Sequence, residues 1–142
     1  MKDRYVFPAV LDFADDGISV EFPDLPGAFT DAQTDEEALE MAKDCLALHL
    51  YGMEEDGEDI PQPSRPFRIE LDGARTQAVT LVEVWMPPFR NKMSNRSVKK
   101  TLTIPKWLDD LAASNKVNYS HVLQEALKSE LGVNERERIS GK

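Results

Sequence analysis

Lys99, Thr101 and Thr103 alternate along the segment VKKTLTI at residues 98–104. On an extended chain that spacing puts an ammonium and two hydroxyls on one face. Such a face can exchange hydrogen bonds with base edges, which the major groove displays in a different pattern for each base pair. Asn118, Tyr119 and Ser120 form a second set where a helix would begin, and the amides that open a helix suit a phosphate. The plain alternative for the first set is the solvent face of an ordinary strand, since threonine favours strands wherever it occurs. The remaining reactive side chains are few. One cysteine, Cys45, and two histidines, His49 and His121, are too few for a cysteine–histidine zinc site. No metal, no cofactor and no catalytic residue is expected.

Charge divides the chain. Residues 1–88 hold 6 Lys/Arg against 20 Asp/Glu, and residues 89–142 hold 11 against 6, within a net charge of −9. An acidic body repels phosphate and attracts a basic partner, while a basic tail suits nucleic acid. No apolar run approaches the length of a membrane span. The N-terminus lacks the apolar core of a secretory signal, and a single cysteine excludes an intrachain disulfide. A reducing cytoplasm is the expected setting.

The elements that position these residues follow from periodicity. Tyr5–Phe13 and Ile18–Phe22 alternate around Asp15-Asp16-Gly17, which reads as a hairpin. Pro23-Asp24-Leu25-Pro26-Gly27 must leave the sheet, because proline has no amide for a ladder. Phe29–Gln33 suits a short third strand. Thr34-Asp35-Glu36-Glu37 is a capping box in which Glu37 would reach back to the amide of Thr34. Apolar residues at helical spacing, Ala38 through Met53, then predict a helix over 34–52 with one face on the sheet. Phe67–Leu71 and Ala78–Trp85 alternate as further strands. The expected fold is α+β, with one helix packed on a mainly antiparallel sheet. Trp85 and Trp107 are expected in cores.

The domain limits expected are 1–86 for the acidic body, 87–97 for a linker, 98–133 for a second module and 134–142 for a polar tail. In the second module the strand 98–104 meets Pro105, which suits the first turn of a helix. Trp107, Leu108, Leu111 and Ala112 give that helix a stripe. Asn118 would cap a second helix that carries Val122, Leu123, Ala126, Leu127 and Leu131, and Gly132 would end it. About 35 residues cannot bury an adequate core alone, and a lone strand leaves its edges unpaired. Two copies that pair strand to strand answer both difficulties and present a ribbon to the major groove. A homodimer is therefore expected, or a tetramer if the front domains pair as well.

KKTLTIPKWLDDLA followed by VNYSHVLQEAL resembles the ribbon–helix–helix repressors of the Arc/MetJ type. ISVEFPDLPGAFTDAQTDEEALEMAKDCLALHL resembles the N-terminal domain of HicB antitoxins, and the two halves in this order look like a HicB-type antitoxin. The resemblance implies a partial RNase H-like front domain that blocks a HicA-type mRNA-cleaving ribonuclease toxin. It also implies a tail that represses the pair's own operon by binding operator DNA. Two departures stand out, Ala28 where a cysteine is frequent and Ala32-Gln33 where Gly-Asp is usual. The second denies this turn glycine's freedom at positive φ.

Given that implied fold, Asp12, Asp15, Asp16, Glu21 and Asp24 invite comparison with a two-metal nuclease. Such a centre needs carboxylates converging on metals roughly 4 Å apart, whereas Asp15 and Asp16 sit in a turn and Asp24 between prolines. A solvated or partner-facing acidic surface is the better reading, and no enzyme is expected. Phe22, Asp24 and Leu25 in FPDLPG are candidate toxin contacts, against a purely structural role in turning the chain. The alternative function is a ribbon–helix–helix repressor whose front domain senses a small ligand through a deep apolar pocket.

Overall fold

The computed structural model describes residues 1–73 and 75–133; the expected polar tail, 134–142, lies outside them. The chain forms two compact units, Met1–Ser97 and a second that begins at Val98. The first contains β1 (Arg4–Ala14), β2 (Gly17–Glu21), β3 (Phe29–Ala32), α1 (Asp35–Asp56), a 3-10 turn (Pro66–Arg68), β4 (Gln77–Trp85) and α2 (Met86–Ser94). Its four strands make an antiparallel sheet in the order β3-β2-β1-β4. The α+β expectation, a sheet with a packed helix, describes this unit.

Alternation decides which face is covered. Tyr5, Phe7, Ala9 and Leu11 on β1 are buried with Ile18 and Val20 on β2 and with Val82 and Val84 on β4. From α1 come Ala38, Ala42, Leu46, Ala47 and Leu50. Small alanines bring the helix close to the sheet, and the two leucines fill the space between. Truncating Leu46 to alanine would cost about 2–5 kcal/mol, the range for a large-to-small change in a closed core.

Thr34 opens α1 as expected, its Oγ1 accepting from the Glu37 amide at 3.1 Å. The return bond differs. Glu37 Oε2 accepts from the Gln33 amide at 3.3 Å rather than from Thr34. Nor does the Ala32-Gln33 connection use positive φ, which among non-glycine described residues occurs only at Lys116. Gln33 instead donates its side-chain amide to the Asp16 carbonyl at 3.4 Å, bracing the connection against the first hairpin turn.

Two elements correct the expectation. Phe67–Leu71 forms no strand; its start lies in the 3-10 turn, where Ile69 donates to the Pro66 carbonyl at 3.2 Å. The stretch expected as a linker contains α2. Pro87 and Pro88 stop β4, as proline must, but they fall in the first turn of the helix, where a missing amide costs nothing. Met86 is buried, and the Phe89 ring meets Tyr51 edge-on at 6.0 Å. Trp85 is exposed, not core.

The second unit holds α3 (Lys106–Ser114) and α4 (Tyr119–Leu131). Pro105 is the cap of α3 rather than part of its first turn. Between the helices Lys116 sits at φ 55°, and Val117 donates back to the Ala112 carbonyl at 3.0 Å. Asn118 and Gly132 cap α4 at its two ends, as their types predict. Residues 98–104 form no strand in the single chain, because a ladder needs a partner and the described residues of this unit offer none. No described residue of this unit is buried. Trp107, expected in a core, is 67 % exposed, and Leu102, Leu111, Val122 and Leu131 are exposed too.

Candidate functional site

Lys99, Thr101 and Thr103 are all exposed. Their neighbours Lys100, Leu102 and Ile104 turn the other way and line a groove of about 490 Å³ with Tyr119, Val122 and Ala126 of α4. The alternation in the sequence thus survives as two faces of the segment even though no strand has formed.

The helix start behaves differently from residue to residue. Asn118 Oδ1 accepts from the His121 amide at 3.1 Å, so this side chain is engaged as a cap. The Tyr119 hydroxyl donates to Asp109 Oδ1 at 2.7 Å, and that carboxylate pushes the phenol above its ordinary range. Tyr119 therefore ties α4 to α3 with its ring oxygen. What remains for a phosphate is the pair of first-turn amides at Tyr119 and Ser120, which have no acceptor inside the helix. The Asp109–Tyr119 bond was not legible in the sequence, because nothing in the spacing of ten residues marks two side chains as neighbours across a helical turn.

In the first unit the carboxylates do not converge. Asp12 accepts from the Thr76 hydroxyl at 2.8 Å. Asp24 accepts from both the hydroxyl and the amide of Ser64, at 2.6 and 2.8 Å. Asp15 and Asp16 occupy the β1–β2 turn, and Glu21 is exposed at the end of β2. Among the described residues no group of three His, Cys, Asp or Glu stands together as a metal set.

FPDLPG splits in its role. Phe22 and Leu25 are each 1 % exposed and belong to the core. The loop closes on itself: Leu25 donates to the Phe22 carbonyl, Ala28 to that of Leu25, and Phe22 to that of Ala28, all at 2.9–3.0 Å. Gly27 supplies the φ of 91° that this closure needs. Phe22 and Leu25 therefore cannot offer side chains to a partner, which corrects the expectation for those two residues. Asp24 is at the surface, held by Ser64.

Charge is concentrated beyond what the halves suggest. Between Arg4 and Arg65 the chain holds one Lys/Arg, Lys43, against 16 Asp/Glu. Cys45 lies half-buried on α1, and burial pushes its thiol up. At the opposite end of the sheet Arg90 was missed from sequence. Its guanidinium grips Glu54 through two bonds, at 2.6 and 3.1 Å, and Asp3 through a third at 2.6 Å. Glu54 and neighbouring groups hold the arginine well above its usual pKa. A basic residue after two prolines reads as linker, so the signal was masked by its surroundings.

A family model described as the HicB_like antitoxin of bacterial toxin–antitoxin systems matches residues 7–127. A 14.9 kDa protein of the rep-hol intergenic region of Haemophilus phage HP1 is 30 % identical over 102 residues, which cover 70 % of this chain and 73 % of that one. Antitoxin HicB 2 of Photorhabdus laumondii is 41 % identical over 64 residues, 45 % of this chain and 46 % of its own. Among solved structures, a chain of a toxin–antitoxin complex from Streptococcus pneumoniae superposes with a TM-score of 0.58 at 25 % identity, covering 89 % of this chain and 99 % of that one.

Proposed function

Because the chain belongs to the HicB-like antitoxin family, we propose that it binds and blocks a HicA-type mRNA-cleaving ribonuclease toxin in the cytoplasm and represses its own operon. The first unit, read as a partial RNase H-like domain, is the toxin-binding part. Its acidic stretch between Arg4 and Arg65 supports a basic partner, and opposite charge speeds the encounter.

The second unit is read as a ribbon–helix–helix module. The observation that carries this is its lack of any buried described residue, together with an apolar groove between α4 and residues 100–104. Two copies would pair residues 98–104 into a ribbon, bury Leu102 and Ile104 under the helices and leave Lys99, Thr101 and Thr103 facing base edges. The α4 amides near Asn118, Tyr119 and Ser120 would meet phosphates. The working form is a homodimer, or a tetramer if the first units pair as well. A ligand-sensing front domain gains no support, since Phe7, Phe22, Leu25, Leu46, Leu50 and Met86 fill its interior.

The test replaces Lys99, Thr101 and Thr103 together by alanine. Operator binding in a mobility-shift assay should disappear, toxin neutralisation should stay intact, and wild-type operator affinity should fall steeply with salt as counterions are released. Normal repression by the triple variant would refute the DNA assignment.

A further inference from the structure

We propose that the groove between the outer side of β3 and the flank of α1 receives an extended, basic segment of the toxin, which adds to the sheet as a fifth strand. This rests on the antitoxin reading above and names the surface that it leaves unassigned.

β3 is the last strand of the sheet, only four residues long, and among the described residues its outer side has no sheet partner. Such an edge is a template for another strand unless it is covered or blunted. Here no described strand pairs with it. A groove of about 350 Å³ runs beside it, lined by Gly27, Ala28, Met41, Cys45, Leu48 and His49. Met41, Cys45 and Leu48 recur at helical spacing on α1; Met41 and Cys45 are partly buried against the core, while Leu48 on the same flank stays exposed. Leu48 is 54 % exposed and Phe29, on β3, is 72 % exposed. A strand laid along β3 would send alternate side chains to opposite faces. One set would enter the groove, which Phe29 and Leu48 both line, and the other would lie on the Asp31 side of the sheet.

Charge selects the occupant. Asp31 lies on β3 and Asp44 lines the groove, within the stretch that has a single Lys. A second copy of this chain would bring the same carboxylates face to face, and like charges opposed across a strand pair are destabilising. A segment with Lys or Arg flanking an apolar residue meets both demands of the surface. The other sheet edge, β4, does not: Glu83 there is already paired with Arg4 at 2.8 Å, and Lys43 and Lys92 line the adjoining groove.

The experiment uses the full chain and a HicA-type toxin in a form without ribonuclease activity. Affinity is measured by calorimetry for the wild type, for Asp44→Lys/Leu48→Lys, and for Trp85→Ala at the β4 end. Asp44 and Leu48 are both exposed, so circular dichroism should show the double variant folded. The double variant should bind at least about 10-fold more weakly, the scale of a lost complementary contact, and Trp85→Ala should bind like the wild type. Hydrogen exchange should show toxin-dependent protection at residues 28–32 and 41–49. Unchanged affinity of the double variant, or protection confined to β4, overturns the surface while leaving the antitoxin reading standing. A change in oligomer mass with toxin affinity unaltered would make the groove a contact between copies and overturn it too. Failure of the wild type itself to bind toxin sinks both readings.

Discussion

Arg90 should hold α2, and with it the N-terminus, against α1. Replacing it by alanine removes a fork of two hydrogen bonds to Glu54, a third to Asp3 and a fourth to the Lys2 carbonyl. The Glu54 side chain is 6 % exposed and that of Arg90 18 %, so the variant strands a carboxylate that water barely reaches. Breaking a buried ion pair from one side costs about 3–5 kcal/mol. Asp3 is half-exposed and adds at most about 1 kcal/mol. Because Arg90 itself retains some contact with solvent, the lower end applies, about 3 kcal/mol. For a domain of this size that is a fall in Tm on the order of 10–20 °C. Glu54→Ala should cost less, since Arg90 keeps Asp3 and part of its hydration. The double variant should cost less than the sum of the singles by about 1–3 kcal/mol, the coupling expected of groups in direct contact. Urea unfolding in a Trp107→Phe background reads this cleanly, because the remaining Trp85 precedes α2 directly. A loss below about 1 kcal/mol for Arg90→Ala, with no coupling in the cycle, would show that apolar contacts of Met86 and Phe89 alone hold the helix.

Thr34→Ala removes the acceptor for the Glu37 amide and should lower the stability of the first unit by about 1 kcal/mol, whereas Thr34→Ser should be nearly silent in the same urea titration. With the proposed pairing the second unit should melt earlier on dilution, because partner binding would contribute its stability by mass action. A hundredfold drop in chain concentration should weaken it by about 2.7 kcal/mol, and helicity from α3 and α4 that ignores concentration would contradict pairing through this unit.

Where local pattern and burial agree, the sequence was readable. β1, β2, β3 and β4, the Thr34 cap, and the Asn118 and Gly132 limits of α4 fall within a few residues of their expected places. Each rests on alternation or on a side chain that serves its own backbone. What was missed rests on contacts distant in sequence. Phe67–Leu71 alternates as a strand would, yet the four-stranded sheet gives it no partner. α2 hid behind Pro87 and Pro88, whose effect depends on whether they fall within a helix or at its first turn. Arg90 gains meaning only through Glu54 and Asp3, 36 and 87 residues away. FPDLPG was legible as a turn, but its composition could not tell that Phe22 and Leu25 point inward while Asp24 stays outside.

The two units meet the need for burial in different ways, and the charge division follows the same line. The first unit closes its core within one chain, so its surface is free to carry many like charges; their mutual repulsion is a tolerable cost once Phe7, Leu46 and Leu50 are sealed. The second unit leaves its leucines open, and a high density of one charge there would oppose the proposed pairing of two copies. It accordingly mixes signs: Lys106 pairs with Asp110 at 2.7 Å, and Lys128 lies 3.4 Å from Glu125. The cations Lys99 and Lys100 are left on the segment that precedes the helices. That placement puts positive charge beside the proposed ribbon and neutral surface where two copies would meet. An exchange of the two arrangements, with acids on the open apolar faces, would oppose both the proposed pairing and the proposed approach to a phosphate backbone.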